Sequence, residues 1–240
     1  KEAVEIYKKI SNEKYITTMG LAIHIGSQIF NMNEFRLAYE NVLSIANYLR
    51  DEGLDVPNLD LGGGLGVDYQ NASINFNDYG NTIREVFKNY DYKLSIEPGR
   101  SLVANSGVLV TKIIYIKNSE RKNFLIVDGA MNDFIRPTLY NAHHNIEPLI
   151  KSKNKELKYD VVGPICETGD YFIKDLKLNQ PMEGQFLAIF STGAYGSVMS
   201  SNYNSRPSAG ELLVHNNKIH LLRKQEVIEY QIQKEILPDL

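Results

Sequence analysis

Three short groups in the first hundred positions combine reactive side chains with backbone freed by glycine: His24-Ile-Gly-Ser-Gln28, Gly62-Gly-Gly-Leu-Gly66 and Glu97-Pro-Gly-Arg100. Without Cβ atoms, Gly62, Gly63 and Gly64 let backbone N–H groups approach an anion closely, and glycine accepts the positive φ angles that such nests need. Phosphate is the natural guest. The run describes a tight strand-exit turn equally well. It is not a Walker loop, because no Gly-Lys-Ser/Thr follows, and its spacing is not Gly-x-Gly-x-x-Gly. Glu97 precedes a proline and is held extended, so its carboxylate projects from a strand end. There it could keep a proton on a heterocyclic nitrogen, or simply pair with Arg100. His24, taken alone, reads as readily as a satisfied core histidine.

A second set lies further on: Arg136-Pro-Thr-Leu-Tyr140, Cys166-Glu-Thr-Gly-Asp170, Gly193-Ala-Tyr195 and Asn202-Tyr-Asn-Ser-Arg-Pro207. A guanidinium forks onto a carboxylate through two parallel hydrogen bonds, which lysine cannot reproduce. In isolation Arg136 would be a surface ion pair. The lone Cys166, taken by itself, reads as a small buried hydrophobe.

The elements that must position these groups change character along the chain. Apolar runs at Gly20–His24, Asn58–Gly62 and Lys93–Glu97 alternate with helical periodicity in Phe35, Ala38, Val42, Ile45, Ala46 and Leu49, and again in Tyr79, Ile83, Val86, Phe87 and Tyr90. Gly53 sits where a helix C-cap belongs. This is the pattern of βα units feeding a parallel sheet, and each polar group falls at the C-terminal end of a strand, the catalytic end of βα barrels. From about Leu102 the pattern turns to strands, at 108–116, 124–127, 159–162, 186–190, 212–214 and 219–222. The expected fold class is therefore α/β plus β, with one domain over 1–103 and a C-terminal β-domain, a barrel or sandwich, over 104–240. Three strands cannot close a (β/α)8 barrel, which needs eight strands and about 250 residues.

Composition excludes several classes. The 240 residues carry a net charge of −3, with a hydrophobic fraction of 43%, which gives no general attraction for nucleic acid or an anionic membrane. One cysteine allows no intrachain disulfide and no multi-thiolate metal site, so no metal is expected and a reducing compartment, the cytosol, is the default. No apolar run approaches the roughly 20 residues needed to cross a bilayer.

Taken in order, the first three groups resemble the alanine-racemase-type decarboxylases that depend on pyridoxal 5′-phosphate (PLP, fold type III), and the second set is most similar to the branch acting on diaminopimelate. The likeness runs from about Met19 to about Val214. It implies a PLP-binding (β/α)8 TIM barrel, of which 1–103 is the later part, followed by the β-domain. It implies that His24 stacks on the cofactor ring and that Ser27, Gly62, Gly63, Gly64 and the backbone of Gly99 and Arg100, with the Tyr195 hydroxyl, hold its phosphate. Glu97 would pair with the pyridinium nitrogen. Cys166 would supply the proton that completes turnover, in the site of a neighbouring subunit of a homodimer. Arg100, Arg136, Tyr140 and Tyr195 would bind the substrate's distal carboxylate and Glu167 its ammonium. The expected activity is conversion of meso-2,6-diaminopimelate to L-lysine and CO2, the last step of lysine biosynthesis. The rivals are a related decarboxylase of arginine or carboxynorspermidine and a non-catalytic relative.

One departure stands out. The family's cofactor-bonding lysine precedes the histidine motif, and no lysine here has that context; Lys93, Lys112, Lys117 and Lys158 read as surface residues. These 240 residues alone are expected to be inactive and poorly stable, because a partial barrel exposes strand edges.

Overall fold

The computed structural model describes residues 1–69 and 75–238. The chain divides into two compact units, Lys1–Val103 and Ala104–Leu240.

The first unit opens with α1 (Glu2–Ile10), of which only Tyr7 is buried. Strand β1 (Gly20–Ala22) leads to α2 (Met32–Asp51), β2 (Asn58–Asp60) to α3 (Phe76–Phe87), and β3 (Lys93–Ser95) to the short α4 (Gly99–Val103). The strands pair in parallel in the order β1-β2-β3, with Leu59 opposite Leu21 on one side and Leu94 on the other. The helices form where the periodicity places them, for identifiable reasons. Asn31 and Asn75 cap α2 and α3 by accepting from the N–H groups of Asn33 and Asn77, each at 3.0 Å. Helix α2 ends at Gly53, at φ +82°, with the N–H of Gly53 on Arg50 O and that of Leu54 on Leu49 O. Its apolar stripe, Phe35, Tyr39, Val42, Ala46 and Leu49, packs with Leu59 and Leu61 of the sheet. Phe35 meets Tyr79 of α3 edge-on at 5.2 Å, and the hydroxyl of Tyr39 donates to that of Tyr79 at 3.1 Å. Burial pushes both phenols above the ordinary tyrosine range. At the far end of α2, Arg50 stacks on Tyr92 at 3.6 Å and donates to the carbonyls of Val56 and Asp91, which fixes the approach to β3.

The second unit is a six-stranded mixed sheet in the order β6-β9-β4-β5-β7-β8. Its members are β4 (Leu109–Lys117), β5 (Asn123–Val127), β6 (Ile146–Pro148), β7 (Glu156–Val162), β8 (Tyr171–Asn179) and β9 (Phe186–Ile189), with the short α5 (Arg136–Tyr140) between β5 and β6. Residues from all six strands, including Ile146 on one edge strand and Phe172 and Leu178 on the other, join one buried cluster, so the sheet wraps around its core in a barrel-like manner. The strand periodicity missed β6, too short to alternate, and β8. In β8 the alternation breaks at Asp175, at φ +55°, whose N–H donates to Asp160 Oδ1 at 2.9 Å where the β7–β8 register shifts. A hairpin of β10 (Glu211–His215) and β11 (Lys218–Arg223) turns through Asn216 and Asn217, both left-handed, as a two-residue turn of the primed kind requires. The chain then runs into α6 (Ile228–Ile232).

Among the described residues no helix is long and apolar enough to cross a membrane, and no group of three or more His, Cys, Asp or Glu side chains is placed to hold a metal.

Leu59 is fully buried on the central strand of the parallel sheet. Leu59→Ala in the full-length protein should cost about 2 to 5 kcal/mol, the range for deleting a buried leucine side chain, read as a lowered urea midpoint. A shift below 0.5 kcal/mol would show that this core is not packed as described.

Candidate functional site

In the first unit the three sequence groups meet, because parallel pairing brings the C-terminal ends of β1, β2 and β3 to the same side. Hydrogen bonding continues past the strands. The N–H of Ile23 donates to Asp60 O at 3.0 Å, that of Leu61 to Ser95 O at 2.9 Å and that of Glu97 to Gly62 O at 2.8 Å. Beyond them, Ile29 N–H donates to Gly64 O, and the Gln28 amide exchanges two bonds with the backbone of Val67 at 2.8 and 3.0 Å. The spacing is so close that a Cβ on Gly63 would lie 2.3 Å from Glu97 O, and one on Gly64 would lie 2.3 Å from Gly26 O. The glycines are thus required by neighbouring backbone, whatever else they serve.

The inventory of groups at this end is specific. The N–H of Gly62 is engaged by Asp60 Oδ1 at 2.8 Å, and that of Gly99 by Glu97 O at 2.9 Å. Those of Gly63 and Gly64 have no acceptor among the described residues. The side chains of His24, Ser27 and Glu97 are exposed. Among the described residues Glu97 makes no ion pair, so the alternative of a Glu97–Arg100 pair is not realised. An anion acceptor, an imidazole and a free carboxylate therefore adjoin one another, with the Glu97 Cβ only 3.9 Å from the Cβ position of Gly63.

In the second unit the later motifs also converge. Arg136 is 4% exposed at the start of α5, so its charge must be satisfied from within. Its Nε donates to His144 Nε2 at 3.4 Å, and its guanidinium lies 5.7 Å from the ring centre of Tyr195 and 6.0 Å from that of Tyr140. Tyr195 is held at φ +59°, a costly conformation for an aromatic residue. The Thr138 hydroxyl on α5 donates to Gly169 O, tying this helix to the loop that carries Cys166 and Glu167. Both of those side chains are exposed.

That loop is organised by a residue to which the motif alone assigned no role. Asp170 is buried, and its two carboxylate oxygens accept from Met131 N–H and Ile165 N–H, each at 2.7 Å. Burial pushes its carboxyl above the usual range, against the pull of the two N–H donors and of Arg206. Asp133 is raised by burial in the same way; it accepts from Ala130 N–H and faces Arg206 at 3.8 Å. Arg206 in turn donates to Asn132 Oδ1 and to Asp128 O. The end of the sequence motif Asn202–Pro207 is thereby a clasp on the 128–133 turn. Lys93, Lys112, Lys117 and Lys158, read from the sequence as surface residues, are all exposed.

Comparison with known proteins gives a consistent set of relatives. Residues 7–193 match the model of a family described as pyridoxal-dependent decarboxylase, C-terminal sheet domain. The chain is 40% identical over 235 residues to a diaminopimelate decarboxylase of Aquifex aeolicus, covering 97% of this chain and 56% of that protein. It is 44% identical over 229 residues to one of Pseudomonas aeruginosa, covering 95% and 55%. It is similar in structure to a Helicobacter pylori diaminopimelate decarboxylase complexed with L-lysine, with a TM-score of 0.90, 39% identity and coverage of 97% of this chain and 59% of that one. The chain spans little more than half the length of the relatives it matches.

Asp170→Asn tests the loop. An amide has one acceptor oxygen where the carboxylate has two, so one of two buried N–H groups loses its partner. The full-length variant should be less stable by about 1 to 3 kcal/mol in chemical denaturation. An unchanged midpoint would mean that the two N–H bonds do not organise the Cys166 loop.

Proposed function

This chain belongs to the pyridoxal-dependent decarboxylase family, and from that premise we propose that it forms part of a cytosolic enzyme that decarboxylates meso-2,6-diaminopimelate to L-lysine. The observation that carries the substrate is the buried guanidinium of Arg136 close to the rings of Tyr140 and Tyr195. Diaminopimelate keeps a second carboxylate at the end remote from the reaction, and a preorganised arginine fork is the side chain that recognises one. A substrate with no distal carboxylate would leave that charge without a use.

The groups at the strand ends of the first unit fit the cofactor. The uncommitted N–H groups of Gly63 and Gly64 suit its phosphate, with Gly62 and Gly99 shaping the turns and Ser27 and Arg100 as further donors. His24 is the stacking partner of the ring, and Glu97, exposed and unpaired, holds a proton at the ring nitrogen. Pyridoxal phosphate, when bound, supplies the electron sink for the electron pair left behind as CO2 departs.

The remaining chemistry falls to this chain's own side chains. Arg136, with Tyr140 and Tyr195, orients the substrate by its distal carboxylate, and Glu167 binds the ammonium beside it. Binding energy spent at that remote end fixes which carboxylate is lost. Cys166 donates the proton that replaces CO2 at the reacting carbon. Its loop is tied to α5 of the same chain through Thr138, so one support carries the Arg136 of one site and the Cys166 offered to the partner's.

The first unit is a portion of a (β/α)8 barrel, supported by three parallel strands joined through helices. The cofactor-bonding lysine belongs to a part of the enzyme outside these 240 residues, and the working form is a homodimer whose sites draw Cys166 from the partner.

Release of CO2 from a panel of diaminopimelate, arginine and carboxynorspermidine tests the reading in the full-length protein. Activity is expected on diaminopimelate alone, with none from the 240 residues by themselves. Arg136→Ala should cost about 2 to 5 kcal/mol in kcat/KM, chiefly through KM, as for a truncated desolvated charge pair. Unchanged kinetics would exclude a diaminopimelate substrate held in this way. Mixing Cys166→Ala with a variant lacking the cofactor-bonding lysine should restore part of the activity, because one site of a mixed dimer is then complete. No restoration would argue for sites built within single subunits.

A further inference from the structure

We infer that His144 is a positioning residue, setting the plane of the Arg136 guanidinium and thereby the enzyme's affinity for the distal carboxylate. The inference rests on the reading of Arg136 given above and deepens it. His144 is fully buried, and its ring is fixed on three sides. Nδ1 lies 2.9 Å from Phe190 O, Nε2 lies 3.4 Å from Arg136 Nε, and the Phe134 ring meets the imidazole edge-on at 4.6 Å. A carbonyl oxygen can only accept, so Nδ1 carries the proton. A guanidinium can only donate, so Nε2 presents its lone pair. The two contacts together select one neutral tautomer.

The support beneath this bond is rigid. Phe190 returns its own N–H to Asn145 O, the residue after His144, at 2.9 Å, and so continues the pairing of β9 with β6. An imidazole held by a sheet can therefore hold the Nε edge of a guanidinium at the start of a five-residue helix, too short to fix a side chain unaided. Holding Nε constrains the torsion that swings the fork, so the rotamer freedom a flexible arginine loses on binding is already spent. The neighbouring His143 is exposed and has no such role.

The test uses the full-length, cofactor-loaded enzyme and two ligands that differ at the distal end: L-lysine, which retains that carboxylate, and cadaverine, which lacks one. Asparagine places its amide where Nδ1 lies and leaves the Nε2 position empty, whereas glutamine carries an oxygen out to it. In His144→Asn the Kd of L-lysine, by calorimetry, should weaken about tenfold, as for loss of one hydrogen bond to a charged group, with cadaverine unchanged. In His144→Gln the lysine Kd should recover to within about threefold of the parent. Equal weakening in both variants, or an equal effect on both ligands, would overturn the inference. Side-chain ¹⁵N NMR of the unmutated enzyme gives a readout independent of folding defects: His144 should show a protonated Nδ1 and a bare Nε2. The opposite tautomer or an imidazolium would also overturn it. Arg136→Ala separates the two layers. If it affects both ligands alike, the carboxylate reading itself fails; if it weakens L-lysine alone while His144→Asn does not, only the role of His144 fails.

Discussion

Strands of three residues make few ladder hydrogen bonds, so the parallel sheet of the first unit depends on the bonds that continue beyond it. Ile23 to Asp60, Leu61 to Ser95 and Glu97 to Gly62 join the loops in the order of the strands. These bonds satisfy backbone groups that would otherwise be stranded at the end of a half-buried sheet. They also leave a defined remainder. Among the described residues, what is not consumed in joining loops is two glycine N–H groups, an imidazole and a carboxylate.

The second unit solves a different problem, the burial of ionised groups. Arg136, Asp160 and Asp170 are each nearly inaccessible, and each is surrounded by partners rather than by apolar side chains alone. Asp170 is answered by two backbone N–H groups, Asp160 by Lys122 and the N–H of Asp175, and Arg136 by His144 and flanking rings. Such groups stabilise little in net terms but penalise any alternative arrangement that leaves one unpaired. They are therefore suited to holding loops that must present exposed residues such as Cys166 in one conformation.

Much of this was legible in the residues. The polar groups of the first unit could be placed at strand ends because an apolar run followed by glycine or proline marks where a parallel strand stops. Both long helices followed from periodicity and from Gly53. What stayed hidden depends on partners distant in sequence. The kink of β8 at Asp175 exists because Asp160 accepts its N–H, and nothing near Asp175 announces that. The parallel pairing of β5 with β7 inside a mostly antiparallel sheet is likewise a long-range outcome. Two adjacent histidines, His143 and His144, look alike on paper, and only the fold buries the second. The glycine run was ambiguous between a phosphate nest and a tight turn. The geometry shows that the turn is demanded by packing, and that only part of the run retains uncommitted donors.

That last feature bears on how such proteins diverge. The trio of glycines answers to the carbonyls of two separate neighbouring segments, so no single substitution there is neutral, and compensating change would require several loops to drift together. The trio therefore reports on the architecture of these loops, whatever reaction they serve.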